Sequence, residues 1–171
     1  MKKVVIMGTK MIKCPGCGLT LPDQQIVLPN RYNATGECYQ KYSELSTYTL
    51  NKQDIYFNHQ HAIDTYSAQH SGSGMKNITT AYSLIGLYYA IEHGYTGKQV
   101  QHIHMLLSKQ KYNWQGLQPP NKHYSITVYD VLKEEPGEKR DVMLRNWMDD
   151  VWNCWKDQHQ WVRDIMKSLL K

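Results

Sequence analysis

The stretch that decides the fold is DVMLRNWMDDVWNCWKDQHQWVRDIMKSLL, residues 141–170. Within it Met148, Trp152, Trp155, His159, Val162 and Met166 step by four, three, four, three and four, which keeps them on one face of a helix. Asp149, Asp150, Lys156, Asp157, Arg163 and Lys167 stand between them. The pattern predicts one long amphipathic helix over about Asp141 to Leu170. His159 interrupts the apolar stripe. An inward imidazole needs a metal, a carboxylate or a tyrosine, because an unpartnered buried polar group costs about 1–3 kcal/mol.

Moving toward the N-terminus, residues 111–137 are irregular, broken by Pro119-Pro120 and Pro136-Gly137, with one short helix expected after Thr127. Thr96-Gly97-Lys98-Gln99 matches a capping box, so a helix starts there and carries Val100, Ile103 and Leu107 inward. Another helix runs from about Lys76 to His93, where Gly94 supplies the stop. Two more are expected over about Asp54 to His70 and about Glu37 to Leu50. Short connections between amphipathic helices predict a mainly α protein, a bundle of about five helices. No internal repeat is visible.

The start of the chain differs in kind. Cys14-Pro-Gly-Cys17-Gly18 sets two thiols three residues apart around a tight turn, which suits one tetrahedral ion. Pro15, Gly16, Gly18, Pro22, Pro29 and Gly36 make residues 14–36 loop-like. A redox pair would open a helix after a strand, a context absent here. The knuckle supplies half a site, so two more ligands must come from the helices. Cys38, at a predicted helix start where a thiolate is favoured, is one candidate, and a buried structural cysteine is the alternative. Cys154 reads as a small core residue.

Histidines offer the rest. His59, Ile63, Tyr66 and His70 share one helical stripe, and His61 and Asp64 share another. A carboxylate beside an imidazole fixes its tautomer, as a metal ligand requires, although core histidines are more often satisfied by ordinary hydrogen bonds. The expected ligand set is Cys14, Cys17, Cys38 and His70 around zinc. His159 either replaces Cys38 or forms a separate pocket with His61 and Asp64. His93 reads as a helix-end residue, His102 and His104 as surface or flanking positions, and His123 as loop.

Charge narrows the partners. The net charge of +5 rests on Lys2, Lys3, Lys10 and Lys13, and the remaining chain holds 16 bases against 15 acids. Phosphate binding needs a basic patch on the fold, so nucleic acid is disfavoured. No apolar run is long enough to span a bilayer, and Val4-Val5-Ile6-Met7 is too short for the core of a secretion signal. Cysteines spaced as metal ligands point to a reducing compartment, the cytoplasm. Residues 1–13 read as a basic extension, with Met11 a possible start, and residues 14–171 as one helical zinc-binding domain. The 13 Tyr and 5 Trp against one Phe predict hydrogen-bonded aromatics inside.

Taken together, these residues resemble a family of uncharacterised proteins catalogued as a numbered domain of unknown function. Its members open with a CPGCG-L-x-P motif, here Cys14 to Pro22 with two residues rather than one between Leu19 and Pro22, followed by a cysteine before an aromatic, here Cys38-Tyr39. A segment of the H-x-x-x-D-x-Y-x-x-Q-H kind or a close variant follows, here around His61, Asp64, Tyr66, Gln69 and His70. The last helix carries W-x-x-x-H-x-x-V-R, here Trp155, His159, Val162 and Arg163. Two positions depart: Ser83 stands where a third-helix histidine is frequent, and Ser71 where proline is usual. The resemblance implies the architecture and no activity.

Two functions follow. One is a zinc-stabilised helical module that binds a protein partner or a small molecule, since a site closed by four protein ligands leaves no place for substrate. The other is a metal-dependent hydrolase or transferase with a histidine-lined site between helices, built on an open metal position.

Overall fold

The computed structural model describes residues 9–28 and 31–170. Lys2, Lys3, Val4-Val5-Ile6-Met7 and Pro29 lie outside the described residues, as does most of the expected extension. The protein is mainly α, as its periodicity predicts. A two-stranded antiparallel hairpin, β1 (Met11–Lys13) and β2 (Thr20–Pro22), precedes α1 (Gly36–Lys52), α2 (Asn58–Gln69), α3 (Asn77–Glu92), α4 (Gly97–Ser108), α5 (Val128–Lys133), α6 (Glu138–Cys154) and α7 (His159–Leu169). Seven helices among the described residues replace the expected five or so.

The hairpin ties the residues just before the knuckle to those just after it. Ile12 pairs with Leu21, and the Asp23 amide donates to the Lys10 carbonyl at 2.8 Å. Residues 10–13 are therefore one arm of the ribbon that carries the knuckle. Caps set the helix starts. The Thr35 hydroxyl accepts the Cys38 amide at 3.3 Å to open α1. In the capping box expected at Thr96, the Gln99 side chain and the Thr96 hydroxyl each accept the other residue's amide, at 2.8 and 3.3 Å. Asp54, expected to begin a helix, lies instead in a loop with Gln53 and Phe57 in left-handed conformation, and α2 starts at Asn58.

Helix α2 lies at the centre, against α1, α3, α4 and α6. The stripe expected on it needs correction, because nearly every residue of α2 is buried and Ile63 is among the least covered. So many polar groups in a central helix require internal partners. Gln69 shows how they are found: its amide nitrogen donates to the Ile126 carbonyl at 2.8 Å, and its oxygen accepts the Trp147 indole at 3.1 Å. The Trp155 indole donates to the Ala68 carbonyl at 3.2 Å, near the open end of α2.

The long final helix is broken. Helix α6 ends at Cys154, a single 3₁₀ turn covers Lys156–Gln158, and α7 begins at His159. The physical reason lies at Trp152. Its carbonyl accepts the Trp155 amide at 3.0 Å and stands 2.9 Å from His159 Nε2, which takes up the acceptor the next α-turn would use. The His159 ring lies flat on the Trp152 indole, 3.7 Å between centroids. The apolar positions of the stripe are buried on both sides of the break: Met148, Trp152, Trp155, Val162 and Met166. An Arg163–Glu92 ion pair at 2.7 Å ties α7 to α3.

Candidate metal centre

Cys14 and Cys17 sit at the turn of the β1–β2 hairpin. The Cys14 amide donates to the Leu19 carbonyl at 2.7 Å, and the Gly18 amide to the Cys14 carbonyl at 2.9 Å. Gly18 has φ of +80°, which an L side chain resists. Gly16 is required for a different reason: a β-carbon there would run into the Asn33 carbonyl and the His70 ring. Cys38 enters from the first turn of α1 and His70 from the C-cap of α2.

These four residues converge. Cys14, Cys17 and Cys38 Sγ and one His70 ring nitrogen lie within 4.8 Å of one another, and all four residues are buried. Cys17 and Cys38 Sγ are 3.7 Å apart, and Cys38 Sγ is 3.4 Å from His70 Nε2. A tetrahedral ion ~2.3 Å from each sulfur and ~2.0 Å from nitrogen spaces two sulfurs ~3.8 Å apart and a sulfur and nitrogen ~3.5 Å apart. The group could hold one metal ion.

The surroundings orient the donors. His70 Nδ1 stands 2.9 Å from the Tyr66 carbonyl, which can only accept, so Nδ1 carries the proton and Nε2 turns its lone pair to the sulfurs. The Tyr66 phenol donates to Cys38 Sγ at 3.6 Å, and its ring stacks on His70 with centroids 3.9 Å apart. Tyr42 stacks on the other side of Tyr66 at 4.0 Å. The crowded sulfurs share their protons unequally. The Cys14 thiol is pulled down by hydrogen bonds from Cys17 and then Cys38. The Cys17 thiol is pushed up to about 12, chiefly by its bond to Cys14, and Cys38 is also raised, by Cys14 first and Cys17 next. A cation among them would relieve the repulsion that keeps the second and third protons on.

The other candidates do not join this group. His159 is half-buried against Trp152 with Nε2 on a backbone carbonyl, so it neither replaces Cys38 nor shares a pocket with His61 and Asp64. His61 and Asp64 also part company. His61 lines a cleft beside Tyr95 and Met148, whereas Asp64 turns toward Gly86 and Val100. Asp64 Oδ1 accepts the Gln60 amide at 3.1 Å, Oδ2 has no partner among the described residues, and burial holds the carboxyl well above the usual carboxylate range despite Gln60. His59 Nδ1 is 2.9 Å from the Thr49 hydroxyl. His104 is half-buried with Nε2 3.0 Å from the Tyr82 carbonyl, more enclosed than its sequence position suggests.

Tyr66 is the neighbour of Cys38 and His70 that spacing alone does not reveal, since periodicity marks it only as core. No curated protein and no solved structure matches the chain. The arrangement of a CPGCG hairpin, a helix-borne cysteine and a histidine after D-x-Y-x-x-Q lies within residues 12–156, which match the model of a family of unknown function, DUF5946, and the chain belongs to that family.

Proposed function

We propose that Cys14, Cys17, Cys38 and His70 bind one zinc ion, and that the ion is structural. The protein is then a zinc-stabilised helical module, with residues 14–171 as one domain, that binds a partner or small molecule elsewhere on its surface. The observation that carries this reading is the donor geometry: three sulfurs and one oriented imidazole nitrogen, all buried and within 4.8 Å of one another, with the Cys17–Cys38 and Cys38–His70 spacings at tetrahedral values. Three thiolates favour zinc over hard cations, and four protein donors leave no coordination position for substrate. Thiols kept for a metal suit the reducing cytoplasm.

The reading as a hydrolase or transferase has less support, because His61, His70 and His159 face three different surroundings. The deciding experiment is metal analysis of protein purified without a histidine tag, followed by cobalt substitution. One zinc per chain, and a cobalt spectrum with thiolate charge-transfer and tetrahedral bands, support the module. Substoichiometric metal, or a spectrum without thiolate bands, rejects it.

A further inference from the structure

A second site lies away from the sulfurs. Between α2, α6 and the turn joining α3 to α4 is a cleft of about 440 Å³. Ala90, Ile91 and Met148 give it an apolar floor, and Tyr56 and Tyr95 add aromatic surface. His61 lines it, and the residue is only 8% exposed. The Nδ1 atom of His61 is closed off from solvent and has no hydrogen-bond partner among the described residues. A buried imidazole nitrogen without a partner is uncommon, since each unpaired polar atom costs free energy. With the proton on Nε2, His61 would be a donor toward the cleft. Burial also lowers the imidazole to about 4, against the opposing charge of Asp54, so the ring is neutral at pH 7.

Arg145, on α6, stands exposed at the same cleft, and none of the ion pairs among the described residues involves it. An unpaired surface arginine is ordinary by itself. One beside an apolar floor and a buried histidine makes a receptor for an anionic head on an apolar body. Asp149, one helical turn beyond Arg145, lines the cleft as well and opposes a second negative charge.

We propose that this cleft binds a small monocarboxylate with an aromatic or aliphatic body, the carboxylate meeting Arg145 and His61 and the body lying on Ala90, Ile91 and Met148. The proposal names the small-molecule ligand class of the module described above and rests on that reading. It is tested with 4-phenylbutyrate and its uncharged analogue 4-phenylbutan-1-ol on the zinc-loaded full chain. A ligand of about twelve non-hydrogen atoms is expected to bind with Kd near ~1 mM, readable by saturation-transfer NMR and titration calorimetry. The alcohol is expected to bind about tenfold more weakly, and Arg145→Gln to weaken phenylbutyrate by about tenfold while leaving zinc content and helical signal unchanged. Equal binding of acid and alcohol overturns the proposal. So does an Arg145→Gln protein with native affinity, or no saturable binding up to ~10 mM. Failure with one zinc per chain present defeats the cleft alone, whereas absence of zinc defeats the module.

Discussion

The carboxylate of Asp64 occupies the space that a β-carbon on residue 86 would need, so Gly86, in the middle of α3, is the seat of a buried acid on α2. Gly86→Ala is expected to destabilise the protein by about 2–4 kcal/mol, well beyond the usual gain from replacing a helical glycine. Asp64→Ala in the same chain should recover much of that loss. Urea unfolding of the two single variants and the double variant measures the coupling, and additive losses would disconnect the pair.

The same carboxyl gives the protein a pH signature. Its folded proton affinity is raised by burial, so the folded state holds a proton that the unfolded chain has released above about pH 4. Its contribution to stability is therefore largest at low pH and falls as pH rises through the raised folded value. Asp64→Asn cannot ionise, and its stability relative to the native protein is expected to grow between pH 4.5 and 8. Parallel stability curves would show that Asp64 is ionised in the fold.

Tyr66→Phe removes the phenol that faces Cys38 while keeping the ring on His70. A hydrogen bond to a thiolate contributes about 1–2 kcal/mol, so the variant should keep one metal per chain and release it to a competing chelator roughly tenfold more readily. Chelator competition reads this directly. An unchanged release constant would mean that the phenol serves packing alone.

Gln69→Leu leaves the Trp147 indole and the Ile126 carbonyl without their partner. One orphaned buried group and one part-buried group predict a loss of about 2–4 kcal/mol, larger than a single core truncation of similar volume change. Gln69→Glu restores only the acceptor, so it should fall between. Thermal melts of the three proteins check the order.

Much of this was legible in the sequence because periodicity reports burial. The capping box at Thr96, the core positions of the last segment and the helical class all follow from spacing. Cys14 and Cys17 are legible as a pair because their separation is local. The break at Trp155 was not, since it depends on His159 folding back onto a carbonyl, and helical spacing fits His159 equally well without it. Nor could spacing separate His61 from Asp64. Both belong to a helix covered on all sides, so sharing a face did not mean sharing a pocket. Gly86 was the one available signal, a glycine within a helix where something close must pass.

Every donor of the Cys14, Cys17, Cys38 and His70 group precedes α3 in the chain, whereas the Trp147 and Trp155 indoles that secure the end of α2 come from α6 and its C-terminus. During synthesis the chain emerges from its N-terminal end. The sulfurs and the imidazole are thus available to capture an ion while most of the bundle is still unmade. An ion held by these four donors would already have drawn the end of α2 toward the hairpin when the tryptophans arrive to fasten it.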